Sequence, residues 1–276
     1  MNLGLGPDFR AARSSWLYQQ EGHQVWWVAI LLALAGFAVL SVLQLLAGVV
    51  VVIIHMVIDP AMQQQAALIN PADKDALTQF AMKDIILGIG PAAIGGAFAA
   101  WGLAGIGVGD RSLSLGLRPL RLGLLGWVVV VAGFIIAMMI LNVGFVKLFH
   151  VDEKQIGVVE KAMADLRNNP TLYLLSMPGI MLLTPVVEEF IFRGAVFHAL
   201  LSTRLGWIGT VLLTSGVWAL IHGATAPWAF VGILFMMGIV LGLLLLRFGS
   251  LWVTIACHGA WNLLTALIIY ATPSLQ

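Results

Sequence analysis

Charged residues are scarce in this chain. Only 10% of its 276 residues are Asp, Glu, Lys or Arg, whereas 61% are hydrophobic. A soluble domain is about a quarter charged and about half apolar, so the composition excludes an ordinary soluble protein and indicates a polytopic membrane protein. The single cysteine, Cys257, excludes an internal disulfide framework. The net charge of +1 does not indicate a nucleic-acid partner.

Seven hydrophobic stretches are long enough to cross a bilayer, which takes about 20 residues of helix. They lie at roughly 25–57, 84–108, 123–148, 171–203, 206–224, 228–247 and 250–272. The sequence therefore predicts an all-α fold, a polytopic transmembrane bundle of about seven to eight helices. An eighth helix is possible because two proline-containing dipeptides, Pro178-Gly179 and Thr184-Pro185, interrupt the fourth stretch. Thr184 suits an N-cap, which predicts a short re-entrant or broken helix followed by a full one.

The domain organisation predicted from these stretches is simple. Residues 1–24 form a polar N-terminal tail, and 25–276 form a single membrane-embedded domain with its catalytic core at 171–272. The first hydrophobic run is too long for the apolar region of a signal peptide. Small residues at four-residue spacing predict close helix packing, and they are Ala92, Gly96, Ala100 and Ala104 in one stretch and Gly238 and Gly242 in another.

Basic residues predict the orientation of the chain. If the N-terminus is cytoplasmic, the inner side has few acids and carries Arg10, Arg13, Arg111, Arg118, Arg121, Arg204 and Arg247. The opposite side carries lysines that acidic residues balance. The positive-inside rule therefore favours a cytoplasmic N-terminus, in a multi-pass integral protein of the cell (plasma) membrane.

Three of the predicted spans carry polar side chains that lipid would not tolerate. The fourth contains Glu188, Glu189 and Arg193, the fifth contains His222 four residues after Trp218, and the seventh contains His258 and Asn262. Ionisable groups within a bilayer are costly, so they usually serve chemistry or pair with one another. Glu189 and Arg193 are four residues apart and can pair on one helix face. Glu188 is rotated by about 100° and can face a different partner.

Straight-helix geometry predicts the depth of these groups in the membrane. Glu188 and His222 lie at matching depth, whereas His258 and Asn262 are displaced by roughly 6–12 Å. Helix tilt, or a seventh helix that starts deeper, would close the gap.

The residue types in this cluster suit the activation of water. A carboxylate can act as general base, a neutral histidine can hold the same water, and an Asn–His pair can stabilise an oxyanion. Alternatively, Glu188, His222 and His258 could ligate zinc, since catalytic zinc commonly takes three protein ligands and a water. Both chemistries lead to hydrolysis of a peptide bond.

The three motifs together resemble the signature of a protease family. They are Glu188-Glu189-x-x-x-Arg193, Trp218-x-x-x-His222 and His258-x-x-x-Asn262. This pattern is similar to that of the CAAX protease and bacteriocin-processing (CPBP) family, which comprises the type II CAAX prenyl endopeptidases and their prokaryotic relatives and is also called the abortive-infection family. The position of Trp218 is commonly Phe in that family, which bears on the size of the pocket.

The resemblance implies an intramembrane endopeptidase. Its substrate would be a peptide or protein associated with the lipid bilayer, including a lipid-modified one. Glu188 would be the principal base, Glu189 and Arg193 a supporting pair, and His222 the residue that holds the water. His258 and Asn262 would complete the site or its oxyanion pocket. The family has been treated both as metalloproteases and as metal-independent glutamate proteases, so a zinc cofactor stays an open alternative.

Structural explanations of the same residues also exist. The glutamates and Arg193 could form a buried ion pair that only orders the bundle, and His222 could be an interfacial residue at a helix end. His258 and Asn262 could serve an interhelical hydrogen bond. The corresponding function would be a non-proteolytic membrane scaffold or a bacteriocin-immunity-type protein. A small transporter with a proton relay is a third alternative, but no internal repeat accompanies the acids.

Overall fold

The computed structural model describes residues 26–70, 72–104, 115–120, 122–151, 158–201, 203–223 and 226–272. These ranges contain helices and turns, without a strand. The helices are α1 Trp26–Ile58, α2 Pro60–Leu68, α3 Lys74–Ala104, α4 Leu124–Phe149, α5 Val158–Leu166, α6 Pro170–Leu201, α7 Gly206–His222, α8 Trp228–Phe248 and α9 Leu251–Ala271. The tail predicted at 1–24 lies outside the described residues, as do Arg111 and Arg121.

The predicted all-α membrane architecture is confirmed. Within the described ranges, six helices are long and apolar enough to cross a membrane, namely α1, α3, α4, α6, α8 and α9. The apolar helix α7 is shorter, at 17 residues. Their outward faces are rich in exposed large hydrophobic side chains, as expected of surfaces that contact lipid.

Helices α1 and α3 pack closely because small residues lie between them. A Cβ added to Gly88 would lie 2.7 Å from the backbone nitrogen of Gly48, and one added to Gly96 would lie 2.7 Å from the Leu40 side chain. This contact confirms that the predicted small-residue stripe serves packing. A polar contact adds to it, with His55 Nδ1 2.6 Å from Asp84 Oδ1.

Helices α7 and α8 form a second close pair. A Cβ on Gly238 would lie 2.7 Å from Ser215 Cβ, and one on Gly242 would lie 3.4 Å from the Val211 side chain. The second predicted stripe therefore also serves packing. The pair holds α7 in place, and α7 carries Trp218 and His222.

Helix α6 is not interrupted at Pro178 and Pro185, where the sequence predicted a break. It runs through both of them, with π-helical turns at Gly179–Leu183 and Phe190–Val196. The predicted N-cap at Thr184 is wrong, because Thr184 has helical dihedrals and its N–H bonds to the carbonyl of Gly179, five residues earlier. A wider π turn accommodates Pro185, which has no N–H to donate, without ending the helix.

The short helix α5 packs on the bundle through one face. Its buried residues Ala162, Met163, Ala164 and Leu166 share an apolar cluster with Ile86 of α3 and with Ala266 and Ile269 of α9. Helix α5 therefore covers the region where α3 and α9 meet.

Candidate active site

The two glutamates lie between the two π-helical turns of α6. Residues Thr184–Glu189 form a single α-helical stretch flanked by π turns on both sides. A π turn adds a residue to a helical turn and changes the direction of the side chains that follow, and such turns are frequent at functional sites. The local backbone therefore sets how Glu188 and Glu189 face the neighbouring helices.

Glu189 is a fully buried carboxylate held by two partners. Its Oε1 accepts from Nη1 of Arg193 at 3.1 Å, and both side chains are 0% exposed. The same oxygen lies 3.0 Å from Nδ1 of His258 on α9. The predicted Glu189–Arg193 pair is present, and it extends into a triad that joins α6 to α9.

Glu188 faces a different set of groups. Its Oε2 accepts a hydrogen bond from the indole N–H of Trp218 at 2.8 Å. Its Oε1 lies 3.8 Å from Nε2 of His222, and its Oε2 lies 3.9 Å from Nε2 of His258. The side chains of Glu188 and His222 are 14% and 30% exposed, whereas that of His258 is only 4% exposed. The site is therefore open on the His222 side.

Both histidines turn the same ring nitrogen toward Glu188. Nδ1 of His222 lies 2.8 Å from the carbonyl oxygen of Trp218, and Nδ1 of His258 lies against the Glu189 carboxylate. A carbonyl or ionised carboxylate oxygen only accepts, so we assign the proton to Nδ1 in both rings. In its neutral form, a ring with the proton on Nδ1 has a lone pair on Nε2, which here is directed toward Glu188.

Asn262 makes an interhelical hydrogen bond. Its Nδ2 donates to the carbonyl oxygen of Ile180 at 3.0 Å. In a π turn that carbonyl would accept from the N–H five residues later, but residue 185 is proline and has none. Asn262 therefore supplies the donor that Pro185 lacks. Its place in an oxyanion pocket stays a prediction.

The expected depth offset of His258 does not occur, since its ring contacts both glutamates. The close approach of α9 to α6 depends on Gly259. A Cβ at this position would lie 2.4 Å from the carbonyl oxygen of Met181, in the first π turn. Without that Cβ, the backbones of the two helices meet one residue after His258, which brings its ring to the level of Glu188.

A third carboxylate, which the sequence analysis missed, approaches from α5. Glu160 lies three and four residues before Met163 and Ala164, so it shares the face that α5 buries. Burial raises the pKa of the Glu160 carboxyl above its ordinary value of 4.5, and its electrostatic interaction with His222 partly opposes that rise. The signal was its spacing from two apolar residues on a short amphipathic helix.

Zinc binding by Glu188, His222 and His258 stays the alternative to a metal-independent site. Their donor atoms suit zinc chemically, since zinc takes histidine nitrogens and carboxylate oxygens at about 2.0–2.2 Å. However, across the part of the chain that the structure describes, no group of three His, Cys, Asp or Glu side chains has a geometry that could hold a metal ion.

The structure defines a membrane-embedded protein with a hydrolase-like polar site. Apolar spanning helices surround Glu188 and Glu189, and the imidazoles of His222 and His258 are turned toward Glu188. Residues 170–264 match the family model described as Type II CAAX prenyl endopeptidase Rce1-like. This range contains all three motifs, so the resemblance recognised from them is confirmed over these residues, and the match supports an intramembrane endopeptidase of the CAAX type. Comparison with curated proteins and with solved structures finds no match.

Proposed function

We propose that this protein hydrolyses a peptide bond of a membrane-associated substrate, with Glu188 as the general base. The observation that carries the proposal is the orientation of the Glu188 carboxylate. One oxygen accepts from Trp218 at 2.8 Å, and the other lies 3.8 Å from the Nε2 atom of His222. A separation of that size suits a bridging water, which can donate one proton to each acceptor.

The proposed reaction begins with transfer of a proton from this water to Glu188. The water oxygen then forms a bond to the carbonyl carbon of the scissile peptide, and the carbonyl oxygen becomes an oxyanion. Nε2 of His222 accepts a hydrogen bond from the same water and orients it toward the carbonyl carbon. Glu188 returns the proton to the leaving nitrogen as the C–N bond breaks, which yields a carboxylic acid and an amine. The ion pair of Glu189 and Arg193 holds the helix and the His258 ring in place.

The substrate we propose is a peptide or protein anchored in or on the bilayer, including a lipid-modified one. The exposure of His222 supports access from one end of the bundle. We also propose that the protein lies in the plasma membrane with its N-terminus in the cytoplasm, on the basis of its basic residues.

The test compares the parent with Glu188→Gln, which keeps the shape of the side chain and removes the base. Membranes are incubated with each purified protein, and new peptide N-termini are identified by mass spectrometry. We expect N-termini that appear with the parent and fall by at least about 100-fold with the variant, since general bases contribute about 10²–10⁴ in rate. The matched control is Asp165→Asn, because Asp165 is an exposed carboxylate on α5.

Two outcomes separate the alternatives. If the parent and Glu188→Gln give the same new N-termini, the protease proposal is wrong, and the scaffold or immunity-type function becomes the better account. A thermal melt of each variant is recorded beside the cleavage assay. A melting temperature equal to that of the parent assigns a loss of cleavage to chemistry rather than to misfolding.

A further inference from the structure

Trp218 is placed at the centre of the site, although its role could be taken for packing alone. The side chain is buried, at 1% exposure. Its indole N–H points at the proposed general base and donates to Oε2 of Glu188 at 2.8 Å. This hydrogen bond links α7 to α6. A role limited to lining the cavity does not explain it.

The indole ring is fixed on its other sides by three charged or polar neighbours. The guanidinium of Arg193 lies over the ring, 4.7 Å from its centroid. The rings of His222 and His258 meet it edge-on, with centroid separations of 4.9 Å and 5.5 Å. A cation above a tryptophan and edge-to-face aromatic contacts are both favourable geometries. The direction of the indole N–H is therefore determined by the residues of the site itself.

This fixed donor has a consequence for Glu188. A carboxylate on a side chain with several rotatable bonds can present either oxygen in many directions. With Oε2 held by the indole, Oε1 is the oxygen that faces Nε2 of His222. Phenylalanine at this position would fill most of the same space but would supply no donor.

We infer that Trp218 is a positioning residue that fixes the Glu188 carboxylate through its indole N–H, so that Oε1 and His222 share one water. The inference rests on the proposed function for its kinetic consequence. The hydrogen bond from the indole to Glu188 can be tested separately from activity.

The kinetic test uses two replacements of Trp218 in the full-length protein, with a peptide identified in the cleavage experiment as substrate. Trp218→Phe removes the donor and part of the ring. The benzothiophene analogue of tryptophan keeps the two-ring shape and has sulfur in place of N–H. We expect both to lower kcat by about 10- to 100-fold, the range expected when a catalytic group is misplaced, with KM changed by less than about twofold.

The matched control is Trp207→Phe, because Trp207 lies on the same helix and is exposed. Its kinetic constants should equal those of the parent. If Trp218 only filled space, the benzothiophene analogue would retain the parent's kcat, and that result would overturn the inference.

A spectroscopic readout separates this inference from the proposed function. In protein labelled with ¹⁵N at the indole nitrogens, Trp218→Phe identifies the resonance of Trp218 among those of the ten tryptophans. We expect this resonance to move when Glu188→Gln is introduced, because the charged acceptor is replaced by a weaker neutral one. An unchanged resonance would overturn the inference even if the protease proposal held. If the parent showed no cleavage activity but the resonance still shifted, the hydrogen bond would be supported and the proposed protease function would be wrong.

Discussion

At the scale of single residues, the two neighbouring glutamates are suited to different tasks. Glu189 is enclosed with Arg193 and His258, and the removal of one member of such a buried group typically costs about 3–5 kcal/mol. Glu188 accepts a hydrogen bond from a neutral donor, the indole N–H of Trp218, and is partly exposed. Glu189 is thus tied to its neighbours, whereas Glu188 keeps an oxygen available for exchange of a proton with water.

The third carboxylate gives a prediction about stability and pH. Because burial raises the pKa of Glu160 in the folded protein, its protonated form favours folding. That contribution is fully present below the ordinary value of 4.5 and is lost as the pH rises through the higher folded pKa. Glu160→Gln is neutral at every pH. We therefore expect it to melt at a higher temperature than the parent near neutral pH, by about 2–4 °C for each kcal/mol gained.

The measurement is a series of thermal melts from neutral to acidic pH in the same detergent. The advantage of Glu160→Gln should shrink as the pH falls and vanish below 4.5. Asp165→Asn serves as the control, because Asp165 is exposed on the same helix and should give no such trend. An advantage that stayed constant with pH would contradict the assignment of a buried, titrating carboxyl.

At the scale of helices, the contact between α6 and α9 builds the site. Two features of the chain combine there, a proline that leaves the Ile180 carbonyl without a helical donor and a glycine that lets α9 approach it. Asn262 supplies the missing donor, and His258, one turn earlier on the same helix, meets the two glutamates. A single helix crossing thus positions both side chains of the third motif.

This crossing predicts the effect of Gly259→Ala. The added Cβ would lie 2.4 Å from the backbone oxygen of Met181, which cannot move aside as the end of a flexible side chain can. We expect α9 to shift away from α6, with a loss of about 1–3 kcal/mol in the free energy of unfolding, typical of overpacking. The shift also separates His258 from the glutamates, so cleavage should fall by more than about tenfold.

Stability and cleavage are measured together for this variant. Gly144→Ala is the matched control, because a Cβ at Gly144 on α4 meets nothing within 4 Å. That variant should keep both properties of the parent. Full stability and activity in Gly259→Ala would show that the α6–α9 contact is looser than described.

The sequence predicted some of these contacts and missed others for a physical reason. The pairing of Glu189 with Arg193 depends only on the spacing within one helix, so it could be predicted. The bonds from Trp218 to Glu188 and from Asn262 to Ile180 join different helices, and periodicity does not give the rotation of one helix against another. The helix interruption was expected at the prolines, but a π turn and a chain break look alike in a sequence.

At the scale of the whole molecule, the spans were predictable because a bilayer sets their length and composition. Successive crossings alternate in direction, so if the shorter helix α7 crosses along with the six long helices, the connections after α3 and after α8 should meet at one side of the bundle. They do, since the N–H of Leu251 donates to the carbonyl of Gly116 and the hydroxyl of Ser250 donates to that of Arg118. Which side is cytoplasmic depends on the basic residues and is a prediction.

The orientation can be tested with single cysteines in a background of Cys257→Ala, because Cys257 is buried. Gln65 on α2 and Arg204 between α6 and α7 are both exposed. Gln65 follows an odd number of spans and Arg204 an even number, so the two residues should lie on opposite sides of the membrane. With the N-terminus in the cytoplasm, a membrane-impermeant maleimide should label Gln65→Cys in right-side-out vesicles and Arg204→Cys only in inverted ones. If the shorter helix α7 also crosses, as the fifth crossing, His222 lies at its outer end, and this orientation places the open end of the site at the outer surface, where Glu160 lies. The opposite labelling pattern would reverse the orientation and direct the search for substrates to the cytoplasmic surface.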